Sequence, residues 1–187
     1  IFRRVPCCRT RISSAGVCRR GSPACRSRVS LSNGCGQAAC RASYAIAVLP
    51  KACGGSLLGA NIAVLGAAFK PESDDVRDSP ALNVAGMLQL NGATVNVYDP
   101  KAMDNSRTVF PTLTYATSAV EACDRADAVL VLTEWPEFVG LDPAALADTV
   151  RAKVVVDGRN CLDVARWLQA GWRVYALGRS IGEPSAA

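Results

Sequence analysis

From residue 60 onward the chain alternates short apolar runs with amphipathic stretches, and this alternation decides its fold class. Residues 62–65 (IAVL) stop at Gly66, and residues 94–98 (TVNVY), 128–132 (AVLVL), 153–156 (KVVV) and 172–176 (WRVYA) follow at intervals. Short Val-rich runs bounded by turn residues read as buried strands. Between the first two, Ser79 caps a helix and Pro80 suits its first position. Leu82, Ala85 and Leu88 fall on one stripe, and Asn91-Gly92 ends it. Gly86, beside that stripe, would allow a close approach to a sheet. Residues 118–126 read as a short helix capped by Ser118. Asp142-Pro143 opens another that runs to about Val150, and residues 163–170 form one closed by Gly171. Strand and helix in turn, joined by short connections, give a parallel sheet covered on both faces. The expected fold is α/β: a doubly wound, Rossmann-like parallel sheet of about five strands.

The first fifty residues are a different chain. They hold nine Arg, no Lys, no acid and six of the nine Cys: Cys7, Cys8, Cys18, Cys25, Cys35 and Cys40. The remaining residues carry twelve bases and all sixteen acids, a net charge of −4, so the formal +5 of the whole comes from the first segment alone. Basic character is therefore no argument for nucleic-acid binding by the folded part. Four readings compete for the segment: a targeting peptide, a disulfide framework, a zinc site and an out-of-frame translation. Only Cys35 and Cys40 approach a metal-ligand spacing. Low acid content, the missing start Met and the break near Lys51 favour the last, with disorder expected over residues 1–50. The domain division is then 1–54 as an Arg/Cys-rich arm, 55–180 as the folded domain and 181–187 as a tail. No run reaches the roughly 18 apolar residues of a membrane span. The absence of His excludes His-based catalysis and His-ligated metal.

In a doubly wound sheet a ligand lies outside the carboxyl ends of the strands. The loop after the first strand, residues 66–78, has one Gly and is too long to be a G-x-G-x-x-G turn, so NAD is not expected there in the usual way. It offers Phe69 for a base or sugar, and Lys70 and Arg77 for phosphate. The bland alternative pairs those cations with Glu72, Asp74, Asp75 and Asp78. Arg159, in Asp157-Gly158-Arg159-Asn160, is placed to meet an anion or simply to sit in a solvated turn. Asp99 stands where a ribose-binding acid would, or only in a turn with Pro100. Trp135 and Phe138 are one helical turn apart, which favours packing.

Residues 69–80 (FKPESDDVRDSP) closely resemble the F-K-x-x-[ST]-x-D-x-R-x-S-P loop of the UDP-glucose/GDP-mannose dehydrogenase family. Tyr98-Asp99-Pro100, Thr133-Glu134-Trp135-Pro136-Glu137-Phe138 and Asp157-Gly158-Arg159-Asn160 recur in the order of that family's C-terminal, UDP-binding domain. The resemblance spans roughly residues 55–180 and, within the family, is nearest to the enzymes that oxidise UDP-glucose. It implies NAD-dependent oxidation of the sugar C6 alcohol to a carboxylate, with an N-terminal NAD domain and a catalytic Cys in G-G-x-C-F-P-K-D. It makes Phe69, Lys70 and Arg159 UDP-sugar contacts and Arg77 a contact to NAD from across a domain cleft. It also implies a cytoplasmic enzyme that forms homo-oligomers; no membrane partner is expected without a spanning run, and no nucleic-acid partner where the Arg-rich arm has only Phe2 and Tyr44 as aromatics. Neither the Gly-rich fingerprint nor the Cys motif occurs in these residues; Cys53-Gly54-Gly55-Ser56 continues with Leu57-Leu58 and reads as linker. Cys123 and Cys161 read as small structural residues. No catalytic and no metal-binding residue is assigned, and the chain by itself is expected to be an inactive fragment. The alternative is a standalone non-enzymatic module that binds a nucleotide or a protein.

Overall fold

The computed structural model describes residues 37–177, with side chains from Tyr44 onward. Along the chain lie α1 (Gln37–Ala52), β1 (Asn61–Leu65), α2 (Pro80–Leu90), β2 (Thr94–Tyr98), α3 (Met103–Val109), β3 (Thr114–Tyr115) and α4 (Ala119–Cys123). They are followed by β4 (Ala128–Val131), α5 (Pro136–Val139), α6 (Pro143–Ala147), β5 (Val154–Asp157), α7 (Val164–Gln169) and β6 (Arg173–Ala176). Among the described residues the strands form one six-stranded sheet in the order β3-β2-β1-β4-β5-β6, with every neighbouring pair parallel. The order reverses between β1 and β4, whose register pairs Leu65 with Val131.

Alternate residues of each strand feed two cores. Ile62, Val64, Val97, Leu130 and Val156 point to the layer of α1 and α2 with Leu49, Leu82 and Leu88. Ala63, Leu65, Val129, Val131, Val155 and Val174 point to the opposite layer with Ala122, Phe138, Leu146, Trp167 and Trp172. The central strands β1, β4 and β5 are buried on both sides, which is why they read as unbroken apolar runs. Full burial of each Val, Leu or Ile contributes about 1.5–3 kcal/mol, so this sheet is the main source of cohesion.

The expected caps are in place. Ser79 Oγ accepts from Leu82 N and Ser118 Oγ from Glu121 N; Asp163, not named as a cap from sequence, accepts from Ala165 N and Arg166 N. Asp142 caps a helix that ends at Ala147 rather than Val150. Four features depart from expectation. Residues 37–50, expected to be disordered, belong to α1: Ala45, Leu49 and Ala52 are buried at helical spacing, and Tyr44 Oη donates to Ala176 O at 3.1 Å. The compositional break at Lys51 therefore does not mark the start of ordered structure. A sixth strand, β3, and helix α3 join the β2 side. Gly86 makes room for Phe110 and not for the sheet: a Cβ there would come within 2.9 Å of the ring. The readings for residues 1–36 and for the tail at 181–187 lie outside the described residues. No helix among the described residues is long and apolar enough to cross a membrane.

Candidate functional site

Because all the strands are parallel, the loops after β1, β2, β4 and β5 emerge at one edge of the sheet. A single buried carboxylate ties three of them together. Asp99, fully buried at the end of β2, accepts five N–H bonds. Its Oδ2 receives Ala67 N at 2.8 Å, Ala68 N at 3.0 Å and Trp135 Nε1 at 3.1 Å. Its Oδ1 receives Lys101 N at 3.0 Å and Ala102 N at 2.9 Å. Those five donors more than fill the roughly four lone-pair sites of a carboxylate. Asp99 therefore has no acceptor capacity left for a ribose.

The crevice between β1 and β4, where such sheets hold a dinucleotide, is closed by protein. Gly66, at φ +100°, lets the β4 loop approach so closely that a Cβ there would meet Thr133 at 2.6 Å. Thr133 Oγ1 donates to Ala68 O at 2.9 Å, and Trp135 is buried beside it. The N–H groups of Ala67 and Ala68 grip Asp99 as they would otherwise grip a phosphate. The next helix starts only at Pro80, so no helix N-terminus follows β1 directly. These residues do not fit NAD at the usual position of a Rossmann-like sheet, as the missing glycines implied. With that position closed, a ligand at this edge would meet the side chains that project from the rim.

Phe69 and Lys70 both project, Phe69 at 55% exposure. Their loop is fixed from behind by Asp99, by Thr133, by Phe69 N donating to Asp75 O and by Ser79 Oγ donating to Ala67 O. Arg159 follows β5, with its backbone N donating to Oδ1 of the buried Asp157 at 2.9 Å. Gly158 packs closely there: a Cβ would come within 3.0 Å of the Leu132 side chain and 3.2 Å of Val131 O. Lys70 and Arg159 thus share one edge and flank β4, with their strands about 10 Å apart across two strand spacings.

Arg77 stands elsewhere on the same loop. It lines a cleft of about 620 Å³ with Asp74, Asp75, Asn105 and Thr108, against α3. Its Nε and Nη2 donate to Asp75 at 3.0 and 2.9 Å, which holds the Asp75 carboxyl well below the usual range, at about 2. The pair is exposed, so solvent screens it and a ligand can displace it at little cost. The mixed-charge pairing weighed for this loop therefore exists at Arg77. Arg159 is paired too, with both oxygens of Glu134, its Nη2 to Oε1 at 2.6 Å. Lys70 has no carboxylate within ion-pair distance among the described residues, although its charge helps to lower Asp75.

The thiols are not poised for chemistry. Burial pushes Cys123 up to about 12. Burial, then the charges of Asp157 and Glu134, push Cys161 up to about 12 as well. Burial also raises Cys53, which lies just beyond α1 at the opposite edge of the sheet. No cluster of three metal-ligating side chains occurs among the described residues.

Three contributors were not singled out from sequence. Lys101 pairs with Glu72 at 2.5 Å and lies 5.9 Å from the Trp135 ring, adding a cation to the rim. Asn105 Nδ2 donates to Asp74 O at 2.9 Å and staples the Arg77 stretch to α3. Glu134 was quoted only as part of a motif. Asp99 was weighed as a ligand group and is a structural one.

Residues 63–164 match the model of the UDP-glucose/GDP-mannose dehydrogenase family, UDP binding domain. The UDP-glucose 6-dehydrogenase of Rhizobium meliloti (strain 1021) is 43% identical over 68% of this chain and 29% of its own length. A UDP-glucose dehydrogenase from the hyperthermophilic archaeon Pyrobaculum islandicum superposes with a TM-score of 0.62 at 38% identity, over 73% of this chain and 29% of that one. A UDP-D-ManNAc dehydrogenase from Pyrococcus horikoshii gives 0.60 at 28% identity, over 76% and 31%. The chain spans less than a third of the length of these relatives. The six-stranded parallel sheet, the loops at its carboxyl edge and the match across residues 63–164 together place the chain in the UDP-glucose/GDP-mannose dehydrogenase family.

Proposed function

We propose that residues 55–180 hold the UDP moiety of an activated sugar, as the C-terminal part of a UDP-glucose 6-dehydrogenase-like oxidoreductase. In that reading the intact enzyme uses NAD to oxidise the sugar C6 alcohol to a carboxylate, taking UDP-glucose to UDP-glucuronate. This chain's own residues bind and orient. Phe69 covers the base or sugar, and Lys70 and Arg159 hold the diphosphate. Arg77, in its separate cleft, reaches outward to NAD carried by another domain. The hydride chemistry belongs to that cofactor, and none of the described Cys residues serves as its nucleophile. The observation that carries the reading is the shared edge: two cations on anchored loops, whose strands lie about 10 Å apart on either side of β4, suit an anion lying across the rim.

Calorimetry on the chain with UDP, UDP-glucose and uridine tests it. UDP is expected to bind weakly and uridine more weakly still. Lys70→Ala and Arg159→Ala should each lower UDP affinity by about tenfold or more, the loss of a charge-assisted contact. If both variants bind UDP as the wild type does, the site is misassigned.

A further inference from the structure

The loop after β4 touches both cation-bearing loops, and each of its three residues makes a different contact. Thr133 donates to Ala68 O, and Trp135 donates to Asp99, which itself holds Ala67 N and Ala68 N. These two residues fix the loop of Lys70. Between them, Glu134 faces the other way and takes the Nε and Nη2 hydrogens of Arg159. A guanidinium is planar, with five N–H donors in a rigid fork. A carboxylate on the Nε/Nη2 edge leaves the Nη1/Nη2 edge open, and that edge matches two phosphate oxygens. Both partners stand on fixed backbone. Thr133 and Trp135 are buried on either side of Glu134, and Arg159 N is bonded to the buried Asp157.

We propose that Glu134 is a positioning residue: it holds Arg159 with its outer edge toward the rim, so that Thr133-Glu134-Trp135 sets the spacing between Lys70 and Arg159 for a nucleoside diphosphate. This rests on the reading of the rim as a diphosphate site. The opposite role would be neutralisation, with Glu134 merely cancelling Arg159. The two roles differ in sign. Removing a neutralising charge tightens anion binding, whereas removing a positioning group weakens it.

A double-mutant cycle on the full chain separates them, with UDP as the probe. Glu134→Gln is expected to lower UDP affinity about fivefold, within the range seen for contacting pairs, and to have no further effect in an Arg159→Ala background. Its thermal midpoint should stay close to that of the wild type. In 15N spectra the Arg159 Nε–H should be protected in the wild type and exchange faster in Glu134→Gln. Unchanged or tighter UDP binding by Glu134→Gln, or an equal loss without Arg159, overturns the positioning role. If Arg159→Ala weakens UDP binding and Glu134→Gln does not, the diphosphate site stands and the proposal fails alone. If the wild type shows a protected Nε–H yet binds no UDP, the diphosphate reading fails and takes the proposal with it.

Discussion

Asp99→Asn barely changes side-chain volume, yet it should be among the most damaging single changes in the molecule. The wild-type carboxylate receives three N–H bonds on Oδ2 and two on Oδ1. An Asn has one acceptor oxygen. Its better orientation keeps that oxygen on Ala67 N, Ala68 N and Trp135 Nε1 and turns the NH₂ toward Lys101 N and Ala102 N. Two donors then face a donor. Each buried donor left without a partner costs about 1–3 kcal/mol, and the three retained bonds lose their charge assistance. Relief from burying a charge offsets part of this. The expected loss is about 3–5 kcal/mol, a fall in midpoint of roughly 10–15 °C for a domain of this size. Urea unfolding followed by Trp fluorescence measures it, since the Trp135 indole sits on the altered group. Ser118→Ala, which removes one helix cap, is the comparison and should cost about 1 kcal/mol. If Asp99→Asn costs no more than Ser118→Ala at an unchanged m-value, the carboxylate does not tie the three loops together.

Three other outcomes follow from the same contacts. Gly66→Ala forces a Cβ to within 2.6 Å of Thr133 at a φ of +100° and should destabilise by about 2–4 kcal/mol in the same urea assay. Cys123 and Cys161, with thiols near 12, hold less than about one part in ten thousand as thiolate at pH 7.5; iodoacetamide with peptide mass mapping should leave both unmodified in the native state and label them in urea. The Asp75 carboxyl should titrate near 2 by NMR. Because that value is lowered, the Arg77 pairing is present at neutral pH and opens only as pH falls through about 2; a midpoint near 4 would mean that the pair does not form in solution.

The sheet was legible because its central strands are buried on both faces, which leaves continuous apolar runs such as residues 128–131. The caps at Ser79, Ser118 and Asp142 were legible because a cap acts within three residues of itself. β3 was not, since two residues carry no period. α3 was not, since Ser106 is its one buried residue and Ala102 before it offers no side-chain cap; its start is held by Asp99 instead. α1 was hidden by composition: only Leu49 is large among its buried positions, beside Ala45 and Ala52, with Pro50 inside the helix and an Arg/Cys-rich run before it. At the site, Phe69, Lys70, Arg77 and Arg159 could be named from residue type and motif. Their pairings could not. Asp99 reaches Ala68 across 31 residues and Trp135 across 36, and Arg159 reaches Glu134 across 25, separations that only the strand order brings together.

An amide 15N titration of the chain with UDP reads directly which edge of the sheet meets the nucleotide. Shifts should concentrate at residues 68–70 and 158–159, the tips of the loops after β1 and β5. They should spare Cys53, Ser56, Gly59 and Asp127, which line a cleft of about 380 Å³ at the opposite edge. Shifts confined to that opposite cleft, or spread evenly over both edges, would contradict the assignment.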